Sequence, residues 1–474
     1  MKRREFIQEA GKIAGAAMIV PSATAEALSG QAIPAAQRPN ILFIMTDQQS
    51  ADAMSCRMGK QYLHTPAMDE LAGRGISFTR AYTANPLCVP ARTALFTGQP
   101  PHRTGFQTND LKQPLDPACR CLGTYFREAG YDTGYCGKWH LPFPAKEKDS
   151  HGFDFTESIR NNGVDPDIPG PAVDFIRRKR DRPFLLVASF VNPHNICEWA
   201  RGEELKDGPI GDPPPAELCP PAVPNLAPME NETDIMRLMK RSMQSSPMFP
   251  VGSFDEKKWR QYRWAYFRMI EKTDAHIGRL LAALRESGQQ ERTLIVLTSD
   301  HGDCQGAHGW NQKTVLFDNA SRVPFLAAGP GVQSGVVSDR LVNTGLDLLP
   351  TLADFAAIGL PANLPGISLK RSCAQPDRKD ERQYVVVENK MIQGAPVDGA
   401  KPEPAGRMVR SRRFQYCAYD LGRRRESLVD MQKDPGETVN LAEKPEYARE
   451  LERHRRFLAE WCQATGDPFP HPGK

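Results

Sequence analysis

Short apolar runs that stop at charged or coordinating residues set the pattern of this chain. Ile41-Leu42-Phe43-Ile44-Met45 runs into Thr46-Asp47-Gln48, and Leu294 to Thr298 runs into Ser299-Asp300-His301-Gly302-Asp303. Phe184 to Phe190 leads to Asn192-Pro193-His194, and the shorter run Tyr131 to Cys136 leads to Gly137-Lys138-Trp139-His140. Continuous apolar stretches of this length predict strands buried on both faces, as in a parallel sheet. In an open α/β sheet, ligands collect beyond the carboxyl ends of the strands. One polar residue past a strand end means little; four such ends predict a single convergent site.

Between the runs the period turns helical. Asp255 to about Gly288 carries an apolar stripe that includes Trp259, Tyr262, Ile270, Ile277 and Leu284, assigned to core packing. Thr344 to Ile358 reads as a further helix. From Arg201 to Pro250, Pro213-Pro214-Pro215, Pro220-Pro221, Pro224 and Pro228 forbid regular structure for much of the segment, which is either a substrate-facing rim or a plain surface excursion. Near Ala374 to Arg378 the composition turns polar, which places a boundary between a large α/β domain over 38–375 and a smaller α+β subdomain over 376–474. In the latter, Tyr384 to Glu388, Met408 to Arg410 and Phe414 to Tyr419 predict antiparallel strands, and Lys444 to Gln463 a closing helix. The fold class is therefore α/β: a large, mostly parallel sheet flanked by helices, with a small C-terminal antiparallel sheet and helix.

The length of 474 residues fits two domains with ample core, and 61 Lys and Arg against 57 Asp and Glu give nothing that implies nucleic acid. The N-terminus changes the picture more. Arg3-Arg4 precedes a mildly apolar run from Ile13 to Val20, followed by the small-x-small sites Ala23-Thr24-Ala25 and Ala25-Glu26-Ala27. Residues 1–30 resemble a twin-arginine export signal and predict a periplasmic or secreted protein. The apolar run is too short to span a bilayer, so no stable membrane insertion is expected. Eleven scattered cysteines, with Cys119-Arg-Cys121 the one close pair, suggest neither a zinc site nor a disulfide framework.

The most informative stretch is Asn85-Pro86-Leu87-Cys88-Val89-Pro90-Ala91-Arg92-Thr93-Ala94-Leu95-Phe96-Thr97-Gly98. Pro90 reads as the first residue of a short helix and Gly98 as its stop. Cys88 then lies at a helix N-terminus, where free N–H groups and the dipole favour an anion, with the Arg92 fork one turn on. Read alone, Cys88 is equally a buried structural thiol.

Cys-x-Pro-x-Arg followed by Thr-Gly resembles the signature of the formylglycine-dependent sulfatases of the alkaline phosphatase superfamily. Gly130 to Leu141 resembles the second family signature. Asp300 to Asp303, His308 to Lys313, Asn319 to Phe325, and Leu428 to Leu441 resemble further family stretches. The resemblance implies that a modifying enzyme converts Cys88 to formylglycine. It implies a divalent metal held by Asp47, Gln48, Cys88, Asp300 and His301, although many sulfatases carry an aspartate at position 48 and an asparagine at 301. Oxygen ligands dominate, which makes Ca²⁺ the first choice and leaves Mg²⁺ or Mn²⁺ open.

The metal, Arg92, Lys138 and Lys313 would clamp the charge that develops as the S–O bond breaks. One hydroxyl of the aldehyde hydrate attacks sulfur, and the leaving alcohol takes a proton from His194 or Lys313. His140 then deprotonates the second hydroxyl, and sulfate is expelled as the aldehyde re-forms. Individually, His140 and His194 fit satisfied core histidines, and Lys138 a snorkelling surface residue. His308 is set aside as a substrate contact.

The reading is a sulfatase acting on a sulfated small molecule or glycan, with carbohydrate sulfate preferred on the grounds of export. The Arg-rich stretches Arg407 to Arg413 and Arg423 to Arg425 either line a cleft for a polyanionic sugar or form solvated faces. A phosphodiester or phosphonate monoester hydrolase on the same scaffold is the alternative enzyme, and a noncatalytic binder of sulfated glycans the alternative from another class.

Overall fold

A computed structural model describes residues 38–471, apart from 117, 161–162 and 379–381. The expected export segment at 1–30 lies outside the described residues. Eight strands form the main sheet: β1 (Asn40–Asp47), β2 (Gly75–Tyr82), β3 (Asp132–Lys138), β4 (Phe155–Arg160), β5 (Phe184–Pro193), β6 (Thr293–Ser299), β7 (Phe325–Ala328) and β8 (Val336–Asn343). Their order is β4-β3-β5-β1-β6-β7-β2-β8. Every neighbouring pair is parallel except those of β7, which runs antiparallel to both β6 and β2. The four apolar runs of the sequence are thus the four contiguous strands β3, β5, β1 and β6, and their carboxyl ends share one edge.

Burial on both faces explains why these strands lack alternation. Leu42 and Ile44 of β1 pack with the 31-residue helix Glu256–Glu286 and the helices Pro66–Arg74 and Pro169–Arg177. Ile41, Phe43 and Met45 point the other way, onto the helices Cys88–Thr97, Leu122–Glu128 and Thr344–Phe355. The long helix starts where Asp255 caps it, its side chain accepting from the Lys258 N–H at 2.8 Å.

A second sheet, antiparallel in the order β12-β11-β10-β9, comprises β9 (Tyr384–Lys390), β10 (Ala405–Ser411), β11 (Phe414–Tyr419) and β12 (Glu426–Asp430). One face packs Val386, Val409 and Tyr416 against the closing helix Ala448–Thr465; the other packs Val387 and Met408 beneath the helix Asp234–Gln244.

One expectation needs correction, and two elements go beyond what the sequence indicated. The helix bearing the Cys-x-Pro-x-Arg motif begins at Cys88, so Pro90 is its third residue; Leu87 is the extended residue before it. The proline-rich segment holds an 11-residue helix, Asp234–Gln244, which starts after the last of the prolines that break the chain. The C-terminal sheet has a fourth strand, β12, that its three apolar runs did not reveal.

Candidate active site

The register between β1 and β6 pairs Thr46 with Ser299, so Asp47 and Asp300 leave adjacent strands side by side. Gln48 then turns at φ 71, a left-handed conformation unusual for a side-chain-bearing residue. Its backbone N–H donates to Asp300 Oδ1 at 3.2 Å. Lys138 ends β3, directly after Gly137, whose φ is 106. A Cβ at Gly137 would lie 2.1 Å from the Ser189 carbonyl oxygen, so glycine is what lets β3 close onto β5 beside the site.

The helix Cys88–Thr97 is buried along its whole length and stops at Gly98, whose left-handed N–H bonds the Ala94 carbonyl at 2.8 Å. Cys88 occupies the first helical position, and the next N–H, that of Val89, donates to Asn109 Oδ1 at 3.0 Å. One turn on, Arg92 is completely buried. Its Nε donates to Asp300 Oδ2 at 2.7 Å and its Nη2 to Asp47 Oδ2 at 2.9 Å, while Nη1 reaches Ser189 Oγ at 2.9 Å and the Lys138 carbonyl at 3.0 Å. Four of its five N–H groups are therefore committed to tying four strands together. Lys138 Nζ adds an ion pair to Asp47 Oδ2 at 2.6 Å.

Ligand atoms of Asp47, Cys88, Asp300 and His301 all lie within 4.8 Å of one another. Cys88 Sγ is 3.3 Å from His301 Nε2 and 3.9 Å from Asp47 Oδ1. His301 Nδ1 lies 3.0 Å from the Gly302 carbonyl oxygen, which can only accept. That contact assigns the imidazole proton to Nδ1 and turns the Nε2 lone pair toward the carboxylates. Two carboxylates with one imidazole and a buried group at position 88 make a donor set dominated by oxygen, which fits a hard divalent cation. Gln48 joins from the side: its Oε1 accepts from Lys313 Nζ at 2.6 Å, and its Nε2 donates to Asp303 Oδ2 at 2.7 Å.

The electrostatics separate Cys88 from its fellows. Burial pushes the thiols of Cys121, Cys136, Cys197 and Cys373 up to about 12. Burial and Asp47 push Cys88 the same way, yet Lys313 and Lys138 hold it well below the usual thiol range. Burial would raise Asp47 too, but the charges of Lys138 and Arg92 hold it well below the usual carboxylate range. Asp300 rises to about 6 through burial and the neighbouring Asp47. Burial, with Lys313 and Lys138 beside it, lowers His194 to about 4, and burial also lowers His140. Both imidazoles hydrogen-bond Cys88 and are neutral at pH 7. Lys313 stays charged: burial opposes its ionisation, but Cys88, Cys197 and Asp47 more than offset it.

The structure thus brings together every site residue expected from the sequence: Asp47, Gln48, Cys88, Arg92, Lys138, His140, His194, Asp300, His301 and Lys313. Three neighbours escaped that reading. Asp303 holds the Gln48 amide and accepts from the Tyr262 hydroxyl at 3.0 Å, and Ser189 receives Arg92. Asp303 was visible as the fourth residue of Asp300-His301-Gly302-Asp303; nothing in the sequence marked Ser189 or Tyr262. His308 is buried, its N–H on the Asn225 carbonyl at 2.6 Å and its ring against Phe317. All eleven cysteines are free thiols.

Fold and site together are those of a hydrolase of the alkaline-phosphatase-like α/β class. The chain belongs to the sulfatase family: the sulfatase family model matches residues 39–358, and the model for the N-sulphoglucosamine sulphohydrolase C-terminal region matches residues 306–462. It is 32% identical over 465 residues to a Delta 4,5-hexuronate-2-O-sulfatase of Bacteroides thetaiotaomicron, covering 94% of this chain and 92% of that one. It is 30% identical to an ulvan-active sulfatase of Formosa agariphila, covering 86% of this chain and 78% of that one. The solved structure of a 2-O GAG sulfatase superposes with a TM-score of 0.78 at 30% identity, covering 91% of this chain and 93% of that one. The chain is accordingly a sulfuric ester hydrolase. Among the described residues, no helix is long and apolar enough to cross a membrane.

Proposed function

We propose that this enzyme is exported and removes sulfate from a carbohydrate, with formylglycine made from Cys88 as nucleophile and a divalent cation, Ca²⁺ first, held by Asp47, Gln48, Asp300, His301 and residue 88. One observation carries the reading: a thiol held far below its usual range at a helix N-terminus, with two carboxylates and an imidazole lone pair converging on it. Relatives named for hexuronate, ulvan and GAG sulfates support a carbohydrate substrate.

When present, the aldehyde hydrate supplies a nucleophile that can release sulfate by collapsing back to aldehyde, and the cation polarises the S–O bonds. The chain's own residues do the rest. Lys138 and Lys313 bring positive charge to the equatorial oxygens of the sulfate, while Arg92 keeps both carboxylates ionised and fixed. His140, neutral and bonded to position 88, is poised to accept a proton from the nucleophile. The leaving alcohol takes its proton from Lys313, which is charged before substrate binds, or from His194, which is neutral and must first gain one.

Peptide mass spectrometry tests the nucleophile. The tryptic peptide spanning Cys88 should carry oxygen in place of sulfur and resist alkylation, while the other cysteines alkylate. Full turnover by protein holding only unmodified cysteine at 88 would overturn it. Aryl sulfate assayed beside aryl phosphodiester tests the bond cleaved, and phosphodiester as the faster substrate would instead establish the alternative hydrolase.

A further inference from the structure

Ten arginines line a groove made of three adjoining cavities, linked by shared wall residues, outside the catalytic cluster. Its first section, about 540 Å³, is walled by six of them, including Arg57, Arg80, Arg322 and Arg412, with three aspartates. Sharing Asp339 and Arg412 with it, a second section of about 580 Å³ follows the edge strand β8. That section shares Arg340 and Arg378 with a third, of about 470 Å³, which adds Arg371, Arg382 and the half-buried rings of Tyr384 and Trp461. The second section brings in one more aspartate, Asp377, and no lysine or glutamate lines any of the three. Asp347 and Asp430, just behind the lining, hold Arg382 and Arg413, so ten arginines face six aspartates and the groove keeps an excess of positive charge.

Pairing takes up part of that charge: Arg322 binds Asp318 at 2.5 Å as well as Asp52, Arg413 holds Asp430 at 2.6 Å, and Arg382 holds Asp347 at 2.9 Å. Asp339 is shared by Arg80 at 3.4 Å and Arg412 at 3.0 Å. Asp52 is likewise shared by Arg57 at 3.7 Å and Arg322 at 2.5 Å. Asp339 and Asp52 thus each serve two guanidinium groups, and arginines outnumber carboxylates along the wall. Like charges crowd accordingly: burial lowers Arg80, and Arg410 and Arg412 add to the shift against Asp339. Arg371 and Arg378 are exposed and make no ion pair among the described residues.

Three active-site segments run straight into the groove's first section. Asp52 follows Asp47 and Gln48, Tyr82 precedes Cys88, and Asp318 follows Lys313, each by a few residues. Guanidinium forks match sulfate and carboxylate oxygens in pairs, which lysine does not.

We infer that this groove binds an anionic polysaccharide, a chain bearing sulfate or carboxylate groups at intervals, and holds it beside the catalytic cluster. The inference rests on the proposed carbohydrate substrate for what is cut, and on the groove alone for what is bound. Of the two arginine-rich stretches in the sequence, Arg410, Arg412 and Arg413 line the groove. Arg407 is buried against Asp467 at 2.6 Å, and Arg424 pairs with Glu443 at 3.0 Å outside it.

The test uses the full chain carrying Cys88→Ala, so that nothing is turned over, and a size-defined heparin octasaccharide as probe. Adding Arg371→Glu and Arg412→Glu should weaken binding by about tenfold or more and flatten its salt dependence. The Arg371→Lys and Arg412→Lys pair should retain most of the affinity. In the enzyme with residue 88 intact, the charge reversals should leave turnover of a small aryl sulfate unchanged. Unaltered octasaccharide affinity in the reversed variant would overturn the proposal, and so would equal affinity for a DNA duplex of matching charge. Failure of the sulfatase reading would look different, as no sulfate released from any ester with octasaccharide binding intact.

Discussion

Two buried clusters in this molecule are made of nearly the same side chains, and only one has the geometry of a cation site. At the seam with the second sheet, His102, Glu388 and Asp467 bring their ligand atoms within 4.8 Å, as Asp47, Cys88, Asp300 and His301 do in the candidate active site. Each cluster also holds a buried arginine. At the seam every donor faces an acceptor. Arg407 forks onto Asp467 at 2.6 and 2.8 Å, while His102 places Nδ1 on Glu388 at 2.7 Å and Nε2 on the Thr465 carbonyl at 3.2 Å. Two cations and two anions close on themselves. In the catalytic cluster, Arg92 and Lys138 take Asp47 Oδ2, but Oδ1 is left facing Cys88 and the His301 lone pair. Proximity of His, Asp and Glu does not make a metal site; what matters is whether N–H groups have already taken the lone pairs.

The sharpest way to break the comparison is to remove one acid from each cluster. Asp300→Ala strips a carboxylate that holds the cation and anchors Arg92, so turnover of an aryl sulfate should fall by roughly three orders of magnitude or more. Exhaustive chelation of the native enzyme should do the same, with a drop in melting temperature that added Ca²⁺ reverses. Full activity in both samples would remove the cation from the catalytic cluster. Asp467→Ala at the seam, by contrast, should leave kcat within a few-fold and show its effect in stability.

Arg407→Leu sharpens the contrast next. It leaves Asp467 buried without its bidentate partner and Glu388 with His102 alone, which costs about 3–5 kcal/mol by analogy with broken buried pairs. Chemical denaturation should show that loss while the KM for a small aryl sulfate stays put. A stable Arg407→Leu variant with lost activity would mean that the seam acts in catalysis.

How much of this was legible in the sequence follows from the same physics. The runs ending at Asp47, Lys138, His194 and Asp300 were readable because a strand buried on both faces has no room for polar residues until it emerges. The site residues came from those strand ends together with the family motifs. The seam was not legible. His102, Glu388, Arg407 and Asp467 lie on four separate segments spanning 365 positions, each an ordinary polar residue locally, and only tertiary packing brings them together. Strand β12 was missed because Leu428-Val429 is too short an apolar run to stand out before it pairs with β11. The arginines at 407–413 looked uniform in sequence, yet alternation along β10 buries Arg407 on Asp467 while the hairpin beyond exposes Arg412.

The smallest expected effect is the pH dependence of the seam. Burial opposes the charge on His102, but the hydrogen bond and charge of Glu388, together with Asp467, raise it above its ordinary value. Both ring nitrogens face acceptors, as the doubly protonated form requires. A histidine raised on folding holds more protons in the native state, so its stabilisation is complete below about 6.5 and is lost as pH rises through the raised value. Urea midpoints for native enzyme and His102→Gln should therefore differ most in mildly acid solution and converge toward alkaline pH, where the imidazole is neutral in both states. Glutamine still donates one hydrogen bond to Glu388, which isolates the charge from the contact. A gap that widened with rising pH would mean that His102 is neutral in the native protein and that the seam closes by Arg407 alone.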